Sequence, residues 1–414
     1  MTHTTYTLAE IANLNQSSIR REDNLRNIQY LDTSSIIENR IIEISTIPVA
    51  EAPSRARRKV KQNTIVYSTV RPRLRHYGLL MNPPCNLIVS TGFITIDIKE
   101  EYKNKVDARY LFLMLTRPEI TEHIACKADS AVSAYPSINP SDIMDLKFKI
   151  PNIKVQTELA DIWSSLDRKI ELNRQINDNL EAMAKQLYDY WFVQFDFPNE
   201  EGRPYKSSGG EMVWNEKLKR EIPKGWTISN IFDEMSVQYG FPFSTDLFTQ
   251  NITNVPVVRI RDILDNSIST FSNESVEDKY RLEKGDLLIG MDGNFHMNYW
   301  TDSVSYLNQR SVRIRAKKDS TVSIVQVKYD IAPSIKAKEL RAKGSTVGHL
   351  SDKDLKELKV LVCPHMHLKR TLNSILSLII KNREETFALT KQRDELLPLL
   401  MNGQATINYH LSDD

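Results

Sequence analysis

The chain has 414 residues, which is enough for two or three domains with separate cores. Its 55 Lys and Arg residues nearly balance its 53 Asp and Glu residues, so the net charge of +2 indicates no partner by itself. Three cysteines at unrelated spacings argue against a disulfide framework or a cysteine-based metal cluster. The N-terminus lacks a hydrophobic signal region and no apolar run is long enough to span a membrane, so we expect a soluble cytoplasmic protein.

Basic residues are concentrated between positions 55 and 75, where no acidic residue occurs. A solvated basic face is one interpretation of such a run. Arginine at every second position between two strands favours the other, a concave surface that binds nucleic acid. The candidate DNA-binding residues in this region are Arg55, Arg57, Arg58, Lys59, Arg71, Arg73 and Arg75.

A Pro- and Gly-free segment of strong helix formers runs from about residue 156 to residue 190. Apolar residues recur along it with an average spacing of 3.5 positions, which is typical of a coiled coil. Lys169 and Asn173 interrupt the stripe, and polar residues in a seam often fix its register. The predicted seam contains Leu159, Ile162, Leu166, Asn173, Ile176, Leu180, Met183 and Leu187.

The chain also contains an internal repeat. Residues 27–39 resemble residues 254–266, residues 62–72 resemble 284–294, and residues 137–151 resemble 349–364. A long helix follows the proline that ends each copy. In the second helix, Asn382 and Thr386 interrupt the stripe where Lys169 and Asn173 interrupt the first. The predicted second seam contains Leu372, Ile375, Ile379, Leu389, Leu396 and Leu400.

These patterns predict an α+β protein with two pseudo-symmetric α/β domains, separated by an antiparallel coiled coil of two long helices. Two paired helices of this size would form a rod roughly 45–50 Å long. The predicted divisions are residues 1–152 for the first domain, 153–192 for the first helix, 193–222 for a linker, 223–364 for the second domain, 365–402 for the second helix and 403–414 for a tail.

The second domain has polar segments that suit DNA, because Arg, Asn and backbone amides can contact bases and phosphates. Each of these segments could instead be an inert turn. The candidate DNA-binding residues in this domain are Tyr239, Arg261, Asn294, Lys343, Gly344, Ser345 and Thr346.

Four segments carry a resemblance to a known family: IELNRQINDNLEAMAKQLYDYWFVQFDFP (170–198), GRPYKSSGGEMV (202–213), EIPKGW (221–226) and ELLPLLMNGQATI (395–407). Over its whole length the chain resembles the specificity (S) subunit of a type I restriction–modification system. The resemblance implies two target recognition domains that each read half of a bipartite DNA sequence. It also implies that the segment KGSTVGHLS is a DNA-facing loop, which supports Lys343, Ser345 and Thr346.

The same resemblance implies the partners. The two helices would set the gap between the half-sites and dock two methyltransferase (M) subunits, which bring S-adenosylmethionine. Restriction (R) subunits would add ATP- and Mg²⁺-dependent translocation and cleavage. The chain itself would bind no cofactor, span no membrane and carry no catalytic residue.

Two other classes of protein stay open from the residues alone. The segment from Asn82 to Cys85 nearly matches the motif with which amino-methyltransferases hold their target amine, but it lacks the aromatic residue. A stand-alone DNA methyltransferase is therefore one alternative, although no glycine-rich donor loop or Walker motif occurs. A coiled-coil assembly protein with incidental basic patches is the other. Cys363, His365 and His367 are too few for a zinc site, and we interpret them as the end of a strand.

Overall fold

The structure is a computed structural model that describes residues 3–129, 136–342 and 348–401. It divides into two compact units, which are Met1–Leu166 with Arg393–Asp414, and Asp167–Gln392. Both divisions fall inside long helices, whereas none of the predicted divisions does. None of the helices in the described part of the chain is long and apolar enough to cross a membrane.

Within the described residues, the first unit consists of short strands, two helices of 4 and 5 residues and two helices of 8 and 12 residues, followed by the start of the first long helix. In chain order the elements are β1 (His3–Thr7), α1 (Leu8–Ile11), β2 (Ala12–Leu14), β3 (Asn27–Leu31), β4 (Ile36–Ile37), β5 (Arg40–Ile41), β6 (Ser45–Pro48), β7 (Ala56–Lys59), β8 (Thr64–Ser68), β9 (Tyr77–Leu80), β10 (Leu87–Ser90), β11 (Phe93–Ile98), α2 (Ala108–Leu115), α3 (Pro118–Asp129), α4 (Pro140–Met144), β12 (Lys147–Pro151) and α5 (Ile153–Tyr188).

A π-helical turn, Asp189–Val193, follows α5, and the second unit then repeats the mixture of strands and helices. Its elements are β13 (Met212–Asn215), β14 (Arg220–Pro223), β15 (Thr227–Asn230), α6 (Ile231–Glu234), β16 (Met235–Tyr239), β17 (Phe248–Thr249), β18 (Val255–Val258), α7 (Ile260–Ile263), β19 (Thr270–Ser272), β20 (Leu287–Gly290), β21 (Met297–Tyr299), β22 (Tyr306–Leu307), β23 (Ser311–Ala316), α8 (Ile324–Ala342), α9 (Asp352–Lys356), β24 (Lys359–Val362) and α10 (Met366–Met401).

The sheets confirm the internal repeat. The order β2-β11-β8-β9 in the first unit corresponds to β16-β23-β20-β21 in the second, and the ribbon β1-β12 corresponds to β15-β24. Each unit also has a second four-stranded sheet, β6-β3-β10-β7 or β17-β19-β18-β22, with one parallel strand pair. The same helix cap recurs as well, since Asp142 accepts from the backbone N–H of Asn139 and Asp354 from that of Ser351.

The central strand of each unit separates two apolar layers, because successive side chains of a strand point to opposite faces. In β8, Ile65 and Tyr67 pack with the helices of the first unit, while Val66 packs between the two sheets. In β20, Leu287 and Ile289 face the helices and Leu288 faces the second sheet. Mixed α/β content in two repeated regions is therefore confirmed.

Polar groups link α5 and α10 within the second unit. Lys169 and Asn173 both contact Glu385, at 2.5 Å from Nζ to Oε1 and 3.0 Å from Nδ2 to Oε2. Lys169 and then Asn173 lower the pKa of the Glu385 carboxyl. One turn further along, Asn382 donates to Asn177 over 3.1 Å. The polar interruptions seen in the sequence thus have partners, although Glu385 and Asn177 were not among the predicted residues.

One line of the predicted α5 seam is wrong by one position. Ile176 and Met183 are 46% and 55% exposed, whereas Asn177 and Ala184 are buried. The exposed pair and the buried pair are each seven residues apart. Apolar residues on the exposed face of α5 therefore show the same sequence pattern as buried ones. The other predicted α5 residues, Leu159, Ile162, Leu166, Asn173, Leu180 and Leu187, are buried or half-buried.

The second predicted seam is buried over most of its length. Leu372, Ile375, Ile379 and Leu389 are buried and Leu400 is half-buried. Leu396 is 37% exposed and does not belong to a buried stripe. Leu400 packs against the core of the first unit, to which Leu159 also belongs.

The segment predicted as a linker is folded. Trp191 stacks on Phe197, whose ring also stacks on Tyr205 and Trp226. Phe195 and Phe197 are both buried, and β13 and β14 form a hairpin. The Pro, Gly and Ser content that predicts a linker here belongs to turns between ordered aromatic anchors.

Asp330 of α8 joins three elements of the second unit through its carboxylate. It accepts hydrogen bonds from the Tyr188 hydroxyl (2.8 Å), the Gln326 amide (3.0 Å) and the Leu361 backbone N–H (3.3 Å). Burial raises the pKa of this carboxyl from 3.8 to about 6. Between pH 3.8 and about pH 6, the Asp330 carboxyl is more often protonated in the folded state than in the unfolded state. The contribution of Asp330 to stability therefore rises as the pH falls from about 6 to about 4, and it is least favourable at neutral pH.

We expect Asp330→Asn to raise the free energy of unfolding at pH 7 by about 1–3 kcal/mol and to flatten its slope between pH 4 and 6. The neutral amide can donate to the Tyr188 oxygen while its carbonyl accepts from Gln326 and Leu361. Thermal denaturation as a function of pH measures both effects, with Asp178→Asn as the exposed-carboxyl control. A variant that keeps the wild-type slope would contradict the prediction.

Candidate nucleic-acid interface

In the second unit a groove opens where two parallel strands end. β18 and β22 run parallel, with Val258 beside Leu307. The residues that follow these strands therefore emerge at the same edge of the sheet. The groove has a volume of about 490 Å³ and is lined by Phe243, Thr245, Phe248, Arg259, Ile260, Arg261, Asn294, His296, Asn308, Gln309 and Arg310.

These lining residues include three arginines and no carboxylate. The Arg259 guanidinium lies 5.7 Å from the centre of the Phe248 ring. Arg261 donates to the Ser269 hydroxyl over 3.0 Å. The side chains of Arg261 and Arg310 are 60% and 61% exposed, so their remaining N–H groups face solvent. The groove thus combines cationic and amide donors with aromatic side chains.

The backbone of the groove is held by a close approach between two chain segments. Phe241 donates to the Leu307 carbonyl over 2.8 Å, and Gln309 donates back to the Phe241 carbonyl over 2.8 Å. A Cβ atom at Gly240 would lie 1.8 Å from the Asn308 carbonyl oxygen, so this position needs glycine. Arg310 has a left-handed backbone with φ of 67°. The turn Asn308–Arg310 is therefore fixed against Gly240 and Phe241, which follow β16.

Two of the predicted residues, Arg261 and Asn294, lie in this groove. Tyr239 does not line it; its hydroxyl donates to the Asp352 carboxylate instead. Lys343, Gly344, Ser345 and Thr346 lie outside the described residues. Just after these positions, the Gly348 carbonyl accepts from the Gly293 N–H over 2.9 Å, and the His349 imidazole lies 2.6 Å from the Asp292 carboxylate.

The first unit carries its basic residues at the equivalent place in its topology. β3 and β10 run parallel, with Leu31 beside Val89, and the turn Ser90–Gly92 begins at the last residue of β10. The Thr91 N–H donates to the Arg55 carbonyl over 2.8 Å, and the Thr91 carbonyl accepts from Arg58 over 3.4 Å. Thr69 donates to the Gly92 carbonyl, which brings the segment before Arg71 to the same turn.

Acidic residues from other parts of the chain lie beside the predicted basic residues of the first unit. Carboxylates from distant parts of the chain pair with four of these seven basic residues, and these pairs are Arg55–Asp32 (3.4 Å), Lys59–Asp23 (2.6 Å), Arg73–Glu122 (2.7 Å) and Arg75–Glu38 (2.5 Å). Hydrogen bonding to Lys59 lowers the pKa of the Asp23 carboxyl, and Arg73 lowers that of Glu122.

Arg71, Arg73 and Arg75 lie between β8 and β9, as predicted. Arg71 and Arg75 have left-handed backbones and flank the turn Pro72–Leu74. Arg57 is exposed and donates to the Ser54 carbonyl over 3.0 Å. Arg58 is half-buried, and in the described part of the chain its Nε and Nη1 atoms have no hydrogen-bond partner. Burial lowers the pKa of its guanidinium.

The groove also contains residues that were not among those predicted from the sequence, namely Arg259, His296, Asn308, Gln309 and Arg310. Arg259 could have been found as the first polar residue after a Val-rich strand. The others come from turns whose proximity depends on strand pairing between distant segments. The arginines and amides present the donors that base edges and phosphates accept. The repeat and the groove therefore define a duplicated nucleic-acid-binding scaffold.

Comparison with known proteins shows the family to which this chain belongs. The model of the type I restriction modification DNA specificity domain matches residues 4–182 and again residues 223–395. The chain therefore belongs to this family and carries the DNA specificity domain twice.

Similar proteins carry the same description. The chain is 35% identical over 170 residues to the HindI specificity subunit of Haemophilus influenzae, a match that covers 41% of this chain and 36% of that subunit. It is 24% identical over 353 residues to the MjaIX specificity subunit of Methanocaldococcus jannaschii, covering 82% and 77%. A crystal structure of the type I S subunit from M. genitalium shares the fold, with a TM-score of 0.57, 16% identity and 96% coverage of both chains.

Proposed function

We propose that this chain is the non-catalytic DNA-recognition subunit of a type I restriction–modification complex, in which each domain reads one half of a bipartite duplex target. The observation that carries the proposal is the arginine- and amide-lined groove at the parallel strand ends of the second unit. Basic residues surround the equivalent turn of the first unit. Two copies of one reading domain match a target with two half-sites.

In this proposal α5 and α10 pair as an antiparallel coiled coil that sets the gap between the half-sites. Asn173 contacts Glu385, and Asn177 contacts Asn382. Residue numbers therefore rise along one helix as they fall along the other, which supports the antiparallel direction. A packed pair of helices is stiff, as a device that fixes a spacing must be.

The outer face of α5 would dock the methyltransferase subunits. Leu172, Ile176 and Met183 are 46%, 46% and 55% exposed, and their spacing of four and seven residues places them on one face of the helix. An exposed apolar stripe of this kind suits a partner interface. The methyltransferase subunits would supply S-adenosylmethionine, and restriction subunits would use ATP and Mg²⁺.

We expect Ile176→Asp to weaken association with the methyltransferase subunits at least tenfold, because it places a charge at the centre of an apolar interface. Ile252→Asp is the matched control, since Ile252 is 78% exposed and lies in a loop of the second unit. Both side chains are exposed, so neither change should lower thermal stability appreciably. Titrating the methyltransferase subunits into each variant measures the two affinities. Equal affinities for the two variants would place the interface elsewhere.

The segment Asn82–Cys85 supports a recognition role over a stand-alone methyltransferase. It lies in the loop between β9 and β10, where Leu87 donates to the Pro84 carbonyl over 3.0 Å in a turn. Methyl transfer by the isolated chain, measured with labelled S-adenosylmethionine, would overturn the non-catalytic assignment.

The recognition role is tested with the chain and its methyltransferase subunits together. Mapping methylated adenines in cells that express them gives the bipartite target and its gap. The complex is then bound at physiological salt to that duplex and to a duplex with both half-sites scrambled. We expect the complex to bind the cognate duplex at least about a thousandfold more tightly than the scrambled duplex, as is typical of specific DNA-binding proteins. Equal binding of both duplexes would leave only a sequence-independent phosphate interaction.

A further inference from the structure

The geometry points to the turn Asn308–Arg310 as the base-reading element of the second domain, with Gln309 and Arg310 as its specificity-determining side chains. This inference rests on the proposed function and assigns it to particular atoms. Gln309 would contact an adenine, because an amide matches the donor and acceptor on the major-groove edge of that base. Arg310 would contact a guanine, whose edge offers two acceptors to a guanidinium.

Base reading needs a rigid backbone, and this turn has one. Its flanks are held by the hydrogen bonds from Phe241 to Leu307, from Gln309 to Phe241 and from Gly240 to Ser311, at 2.8, 2.8 and 3.0 Å. The glycine at position 240 lets the two backbones touch. A side chain on such a turn enters a groove of DNA without an added cost of ordering the backbone.

The two side chains are also available. Gln309 is exposed, and within the described residues its side-chain amide has no hydrogen-bond partner. Arg310 is 61% exposed, with the Asp292 carboxylate 3.6 Å from Nη1, so one edge of its guanidinium is oriented and the other faces outwards. Arg259 and Arg261 differ, because one lies over Phe248 and the other donates to Ser269. Those two are better placed for phosphates beside the read bases.

The first unit has a turn of the same length but different chemistry. Four positions separate Val89 from Phe93, as they separate Leu307 from Ser311. Ser90, Thr91 and Gly92 occupy the intervening places, so a glycine stands where the second unit has Arg310. A Cβ atom at Gly92 would lie 2.8 Å from the Thr33 methyl group. The first half-site must therefore be read by other groups, and the two half-sites should differ in sequence.

The test uses the full chain with its methyltransferase subunits and maps adenine methylation across a genome. Gln309→Ala and Arg310→Ala are compared with wild type and with Gln250→Ala, an exposed glutamine of the same unit that does not line the groove. We expect each turn variant to lose about 5- to 100-fold of the discrimination at one position of one half-site. That position should be an adenine for Gln309→Ala and a guanine for Arg310→Ala.

The other half-site and the gap should remain those of wild type, and Gln250→Ala should change nothing. A turn variant whose target equals that of wild type would overturn the inference and leave the proposed function intact. A uniform fall in methylation at every site, with assembly retained, would also overturn it, because that is the signature of a phosphate contact. Failure of the wild-type complex to produce any bipartite pattern would instead refute the proposed function.

Discussion

Removing one heptad from each long helix, residues 166–172 and 386–392, is expected to shift methylation away from sites with the native gap. The deletions preserve the seven-residue period of the buried stripe and retain the contacts Asn173–Glu385 and Asn177–Asn382. Seven residues shorten a helix by about 10 Å, which corresponds to about three base pairs of duplex. Methylation at the native gap should fall at least tenfold, and sites with a gap about three base pairs shorter should be favoured instead.

The shorter gap should be methylated less efficiently than the native gap is in wild type. Two helical turns leave the faces of the two helices almost unrotated, whereas three base pairs turn the duplex by about 100°. DNA twisting must then compensate, and twisting costs energy. Genome-wide methylation mapping reports the gap, and the two half-sites serve as internal controls because they should not change. A native gap retained at wild-type efficiency would show that the helices do not set the spacing.

How far the sequence predicts this fold is clearest in the helices. The repeat, both long helices and the polar interruption at Asn173 follow from periodicity alone. The second line of the seam was misplaced, because α5 has apolar residues on two faces and Ile176 is indistinguishable by pattern from a buried residue. Asn177 is the buried one. The period of the apolar residues identifies a helix with a buried stripe. Which of two adjacent sets of positions is buried depends on where the partner helix packs.

The site was less predictable for a different reason. The run from Arg55 to Arg75 contains no acid in sequence, yet Glu38 and Glu122 reach it in the fold. The groove of the second unit draws Phe243, Arg261, Asn294 and Gln309 from four separate segments. Arg261 and Asn294 were predicted from local chemistry, whereas Gln309 depends on the pairing of β18 with β22. Local chemistry selects residue types, and long-range strand pairing decides which of them meet.

The contact between Asn177 and Asn382 should affect both the stability of the protein and the register of the two helices. Asn177 is buried, donates to the Ile379 carbonyl over 3.3 Å and accepts from Asn382 over 3.1 Å. Replacing Asn177 alone by leucine leaves the Asn382 amide without its acceptor, and we expect a loss of about 1–3 kcal/mol in the free energy of unfolding. Replacing both by leucine removes donor and acceptor together. The double variant should therefore be at least as stable as wild type, because an apolar layer takes the place of a polar one.

Stability and specificity should separate in that double variant. A leucine layer packs against its neighbours in more than one register, whereas two asparagines satisfy each other in one. With only Lys169, Asn173 and Glu385 left to oppose slippage, we expect methylation at more than one gap length although the melting temperature is not lowered. The single variant, measured in parallel, should melt lower and keep a single gap in whatever complex assembles. If the double variant methylates at a single gap length, the remaining contacts are sufficient to fix the register. If the double variant is no more stable than the Asn177→Leu variant, the pairing of Asn177 with Asn382 is refuted.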